Sequence, residues 1–415
     1  MSKKLYEAIR GLLITAGEEG DQKAQAKTTV NYPKVKVKEL FFAERVTKYK
    51  WIDKNEDYIV KSGGKVSDVE TRYTNKFAKE VKNETIKDVK GSVSDGVNST
   101  ALKAGDVVKV VWKEKAEDGY EYKKVRKTRL KRKIYVVANC NAKNGKLNIE
   151  IHEYLQSSDS KIYDGAVKFL EGEEEKSKIT FDLKETKDNL YVKEIILSPK
   201  KQEDFRKLVK KFITRTNNNA FLFFKAEVTD SKDDVQFPDA TKSFLNKAGE
   251  RLEIISIPWV DIGKSYIGLT EGANPVIQEM IDKLNTDFGY ANKTEKPINN
   301  DAGPWCGVFV YHCLIEAGLS VTSNSWQTPA LNTFYSRNWK ECSLISEPKI
   351  GAIAVMNYGH VGMIDDFDNN HIWLLGGNQP KNGAAVRDGV EVNITKYKRS
   401  LVSKYVIPKD YKSPF

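Results

Sequence analysis

The sequence predicts a multidomain chain: β-rich, sandwich-like modules first, then an α+β domain in which one helix packs on an antiparallel sheet. Three observations carry this. From about residue 28 to residue 263, short runs rich in β-branched and aromatic residues recur, and turn pairs such as Gly63-Gly64, Asp118-Gly119 and Asn144-Gly145 separate some of them. Residues 304–319, PWCGVFVYHCLIEAGL, place Val308, Phe309, Tyr311, Leu314 and Ile315 at helical spacing, with Pro304 at the entry and Gly318 suited to a C-terminal cap. Residues 350–366 and 371–379 then read as short strands bounded by Asn, Gly and Asp.

In chain order, residues 1–27 read as an N-terminal arm and polar linker. Lys3 and Lys4 resemble the start of a signal peptide, but Glu7 and Arg10 break up the apolar stretch behind them, so synthesis in the cytoplasm without a signal is expected. Residues 28–132 form the first β-rich domain and residues 133–262 the second, with a boundary near 98–103 or at 133. Strands are expected at 40–46, 58–61, 106–112, 134–139, 147–152, 165–169, 178–182, 191–196, 221–228 and 253–257, and helices at 75–89 and 201–215. Residues 263–415 form the last domain. So many short strands with few helices favour sandwiches over a βαβ sheet.

Composition narrows the function classes. With 40% hydrophobic and 30% charged residues, the 415-residue chain is that of a globular protein, and no apolar run approaches the roughly 18 residues of a membrane span. Four cysteines show no disulfide framework, and neither C-x-x-C nor H-E-x-x-H occurs, so a zinc site is not expected. The net charge of +11 is uneven: residues 1–260 carry +12 and residues 261–415 carry −1. Its densest patch, residues 123–133 (KKVRKTRLKRK), has eight basic residues in eleven. That patch suits an anionic envelope polymer or nucleic acid, or else a solvated strand edge that blocks pairing with other chains.

The chemistry-bearing residues lie in the last part. Cys306 falls in the first turn of the expected helix, where unpaired amides and about half a positive charge favour a thiolate and can hold an oxyanion. His360, at the mouth of a strand, suits a general base, and Asn378, at the end of the next, suits the group that orients the imidazole. Asp366 and Gln379 are the alternatives for that third role; Asp366 lies six residues after His360, on the same face of a regular strand. Cys313 reads as core, since it lies two turns deeper on nearly the same face. His312 lies about 240° round the helix from Cys306 and cannot serve as its base. A lone cysteine is otherwise a small buried hydrophobe.

The motifs PWC, GHVG and LGGNQ, in that order, resemble the NlpC/P60–CHAP superfamily of papain-like cysteine peptidases and amidases, over residues 266–408. The resemblance implies a papain-like fold, Cys306 as nucleophile and His360 as base, with no cofactor, and peptidoglycan as substrate. The CHAP branch places an acidic residue where this chain has Gly376. Residues 133–154 resemble Ig-like modules placed ahead of hydrolase domains in bacterial toxins. Together these imply a cell-wall hydrolase, either a toxin effector of a contractile (type VI-like) injection system or a phage-type lysin. It would act in the periplasm of a target bacterium, with a delivery-machine component and an immunity protein as partners. The rival readings are a non-catalytic wall- or machine-binding protein with an inactive hydrolase fold, and a basic nucleic-acid-binding protein.

Overall fold

The computed structural model describes residues 35–80, 86–93, 101–142, 144–156, 159–184, 186, 188–215, 217–231, 235–272, 274–290, 304–321, 341–381, 389–409 and 411. The expected arm and linker at 1–27 lie outside these residues. Among the described residues the fold is β-rich, with three sheets. The first contains β1 (Val35–Ile59), β2 (Ile86–Val93), β3 (Val107–Lys124), β5 (Lys133–Cys140), β7 (Phe169–Glu171), β8 (Glu174–Lys176), β10 (Leu190–Ile196) and β12 (Val235–Gln236). The second contains β4 (Lys127–Arg129), β6 (Lys146–Tyr154), β9 (Ile179–Asp182), β11 (Asn219–Thr229), β13 (Ser243–Phe244) and β14 (Leu252–Ile255).

These two sheets face each other. Along β11, Ala220, Leu222, Phe224 and Ala226 are buried while the residues between them are partly or fully exposed, the period-2 pattern of a half-buried strand. The Phe224 ring stacks 4.1 Å from that of Phe42, which comes from β1 in the other sheet. Helix α2 (Gln202–Ile213) closes one side by burying Phe205, Val209 and Phe212. The domain boundary expected at 132/133 runs through this assembly, because β1 pairs with β5 from Val37 to Ala43 before it pairs with β3 from Ala43 to Ile59. The expected helix at 75–89 begins earlier, as α1 (Val66–Glu80), and its last residues belong to β2, which pairs with β3.

The third sheet is antiparallel throughout, in the order β15 (Cys342–Ile345), β20 (Val402–Pro408), β16 (Ile353–Met356), β17 (Val361–Phe367), β18 (His371–Pro380) and β19 (Gly389–Lys398). Helix α5 (Cys306–Glu316) packs on β17 and β18, with α3 (Pro258–Lys264) and α4 (Pro275–Asp287) against it. Asn274 caps α4 by accepting from the Val276 amide at 3.0 Å, and Pro275 takes the first helical position. The boundary expected at 262/263 falls inside α3, whose Trp259, Val260 and Ile262 are buried. A continuous buried apolar cluster runs from Val37, Phe42 and Phe224 through Trp259 and Phe309 to Leu375 and Val406. Among the described residues no helix is long and apolar enough to cross a membrane.

Candidate active site

Cys306 is the first residue of α5, and among the described residues no side chain caps the helix start. The amides of Cys306 and Gly307 are therefore left to the cysteine's own sulfur, and both interact with it. A third backbone amide reaches the sulfur from across the site: that of Val361, the first residue of β17. Since His360 is the preceding residue, the contact brings the histidine's strand onto the helix start.

Two glycines allow this approach. A Cβ at Gly377 would lie 2.3 Å from the Trp305 ring, so any side chain there would push the start of α5 off β18. A Cβ at Gly376 would meet the Gln379 amide, Nε2 at 2.9 Å. The space left by Gly376 is thus filled by Gln379, which is fully buried.

Gln379 donates from Nε2 to the Leu374 carbonyl at 2.9 Å and accepts on Oε1 from the Tyr397 hydroxyl at 2.7 Å. Its side chain also hydrogen-bonds to the His360 imidazole. On the imidazole, Nε2 is buried without a partner among the described residues. The Tyr358 ring lies nearly parallel to the imidazole, at 7° with centroids 6.3 Å apart.

Burial dominates the electrostatics. Cys306 is 1% exposed, and loss of solvation pushes its thiol up to about 11, against the smaller opposing pull of the Val361, Gly307 and Cys306 amides. Burial likewise lowers the His360 imidazole to about 4, although the Gln379 hydrogen bond favours its charged form. The expected helix-start thiolate is thus outweighed in this closed state, and the pair is neutral near pH 7.

The other candidates fall elsewhere. Asn378 lies near the end of β18 with φ 53°, a left-handed conformation that asparagine tolerates, and its carbonyl occupies the place of a Cβ at Gly389. Among the described residues, the hydrogen bond to His360 comes from the neighbour, Gln379. Asp366 pairs with Arg132 at 2.9 Å. A register shift between Ile364 and Asp366 breaks the strand alternation that would have put Asp366 on the face of His360.

Cys313 is fully buried, with its thiol raised well above the usual range by desolvation. His312 lies 3.0 Å from the Tyr266 hydroxyl. Cys342 begins β15. A cavity of about 430 Å³ on the first two sheets, lined by Lys38, Phe41, Lys124, Arg126, Phe244 and Lys247 among others, holds no group of this site.

The basic patch is mostly exposed and partly paired: Lys123, Lys124, Arg126, Lys127 and Lys133 are exposed, Lys131 and Arg132 are half-buried, and Arg129 is buried. Arg129 is 2% exposed and pairs with Asp365 at 3.0 Å; Lys131 reaches Gln202 at 3.0 Å; Lys127 lies 3.5 Å from Glu253 and Lys133 2.8 Å from Glu194. Sequence reading ranks Gln379 behind Asn378, though the absence of a side chain at Gly376 is a signal that a nearby group has room to reach the histidine.

Compared with known families, residues 298–378 match the CHAP domain, a span that includes Cys306 and His360 and stops one residue before Gln379. No curated protein and no solved structure matches the chain.

Proposed function

We propose that the chain is a peptidoglycan hydrolase, a cysteine peptidase or amidase whose C-terminal region cuts an amide of the stem peptide or cross-bridge. The observation that carries this is the juxtaposition of the Cys306 sulfur, at a helix start, with the strand that begins just after His360, inside the stretch matching the CHAP domain. The third sheet and α5 are then read as a papain-like arrangement.

The chemistry starts from the neutral pair. With a substrate carbonyl in place, His360 Nε2 takes the thiol proton as sulfur bonds to the carbonyl carbon. The charge that develops on the carbonyl oxygen is met by amides at the start of α5. The imidazolium then gives its proton to the leaving amine as the C–N bond breaks, which leaves a thioester. Water, deprotonated by the same imidazole, releases the acid and restores the thiol. Gln379 orients the ring throughout, in the role that sequence reading gives to Asn378; unlike a carboxylate it adds no charge to hold the imidazolium.

The test is mass spectrometry of muropeptides after purified peptidoglycan is treated with the full chain and with Cys306→Ala. New amide-cleaved fragments from the first and none from the second are expected. Equal release by both would remove Cys306 as nucleophile, and no release by either would favour the second reading. That reading, a non-catalytic wall-binding protein, draws on one observation: the thiol is closed off and protonated.

We extend the proposal to delivery as a toxin or lysin, supported by the resemblance of residues 133–154 to toxin modules. Expression in a bacterial periplasm should then lyse cells, and expression in the cytoplasm should not.

A further inference from the structure

The strand behind His360 is held from outside its own sheet. Pairing of β17 with β18 steps from Ile364 opposite Leu374 to Asp366 opposite Trp373, so Asp365 is the extra residue of a bulge. A bulge removes one residue from the ladder and re-aims its side chain. At Asp365 the backbone carbonyl accepts hydrogen bonds from Arg129, at the end of β4, and from Arg132, just before β5, and the carboxylate lies within ion-pair distance of both.

Arg129, in β4, donates to the Asp365 carbonyl, and Arg132 Nη2 does so at 2.9 Å. On the carboxylate, Oδ1 lies 3.0 Å from Arg129 Nη1 and 2.7 Å from Lys264 Nζ, and Oδ2 lies 3.7 Å from Arg132 Nη2. Arg132 Nη1 also reaches Asp366 at 2.9 Å.

The same side secures the end of α3. The Lys264 carbonyl accepts from Lys131 at 3.2 Å and from Gln202 at 2.7 Å, and the Ser265 carbonyl from Arg206 at 3.2 Å. These are last-turn carbonyls that the helix itself leaves open.

Asp365 is 6% exposed, and its neighbours Arg129 and Lys264 are buried too. Charges so far from water act on one another strongly and tolerate little displacement. From Asp365 the strand runs back through three buried residues, Ile364, Met363 and Gly362, to Val361, whose amide touches the sulfur, and to His360. Extended backbone has a fixed rise per residue, so an anchor at one end fixes where the other end lies. The anchor does not act by charge at a distance, since His360 is perturbed by burial and Gln379 and not by Asp365.

We propose that Arg129 and Arg132 are positioning residues for the Cys306–His360 site, acting through the bulged Asp365 to fix where β17 presents the imidazole to the sulfur. Its catalytic consequence rests on the hydrolase reading above; its geometry does not.

The experiment tracks the chain's four histidine side chains by NMR against pH in the full-length protein, with His360→Gln assigning the resonance. Arg132→Gln acts at a partly exposed side chain, and Asp365→Asn combined with Lys264→Met removes the acid together with one counter-charge. In both, the His360 midpoint should rise by about one unit as the ring gains water, while those of His152 and His371 stay put. Arg132→Lys, which keeps a cationic donor, should remain near wild type. On peptidoglycan, kcat should fall about tenfold or more with KM little changed. A folded variant of either kind with an unchanged His360 midpoint would overturn the proposal. Should the double variant fail to fold, Arg132→Gln decides. Should the wild-type chain release no fragments, the hydrolase reading fails by itself, and the histidine midpoints still decide this one.

Discussion

Burial moves Cys306 and His360 in opposite directions along the pH scale, the thiol to about 11 and the imidazole to about 4. In the free chain the His360 imidazole, the base of the proposed mechanism, is then already neutral well below pH 6.5. The acid limb of kcat/KM should lie near pH 4, and a limb near 6.5 would show that the site opens to water before reacting. Stability responds as well. The unfolded imidazole binds a proton below about 6.5 and the folded one only below about 4, so stability is lost as pH falls through that window. The unfolded thiol ionises above about 9 and the folded one resists to about 11, so stability is also lost as pH rises between them. Urea midpoints across pH should show both losses, the first removed in His360→Gln and the second in Cys306→Ala. The two amides of β18 also separate by mutation. Gln379→Ala removes the partner of the imidazole and should cut kcat more deeply than Asn378→Ala, whose main cost is about 1–2 kcal/mol of left-handed backbone strain. The reverse order of activities would return the orienting role to Asn378.

At the scale of elements, the site depends on how closely α5 approaches β18. Gly377→Ala would set a methyl against the Trp305 ring and Phe309, where nothing flexible can yield. A melting-temperature loss equivalent to about 1–3 kcal/mol is expected, together with a fall in activity as Cys306 moves. A stable and fully active Gly377→Ala would mean that the helix start tolerates displacement. Cys313, two turns along the same helix, is a contrast. Cys313→Ser buries a hydroxyl in an apolar core at a cost of about 1–3 kcal/mol, but the molecules that remain folded should keep their kcat.

The whole molecule raises a different expectation from the one its charge distribution suggested. A nearly neutral C-terminal region carrying every motif reads as a unit that folds and cuts alone. In the structure, a cut at 262/263 severs α3, divides a continuous apolar core and strips Arg129 and Arg132 from Asp365. Breaking a buried ion pair costs about 3–5 kcal/mol. A domain's whole stability is about 5–15 kcal/mol. Residues 263–415 alone should therefore give no cooperative thermal transition, whereas residues 35–415 should melt cooperatively. A sharp melt from the short fragment would show that the two parts are independent after all.

What the sequence by itself determined was local: a helix beginning at Cys306, a strand beginning after His360, and the alternation of β6 and β11. Those features rest on residues a few positions apart, whose spacing decides which face is buried. Even so, β1 reads as two short strands at 40–46 and 58–61. Beyond Ala43 it leaves the core for an exposed pairing with β3, and its apolar pattern disappears there while its hydrogen bonds continue. Only the tertiary structure decided who the partners are. Arg129 and Asp365 lie 236 residues apart, and nothing in an eleven-residue basic run distinguishes the one arginine that will be buried from the basic residues that stay at the surface. Gln379 reaches His360 because Gly376 leaves room for it, and Asp366 turns away because one extra residue enters β17. The periodicity of a strand says which residues share a face, but a bulge resets that face, and here the bulged residue meets charges from distant parts of the chain.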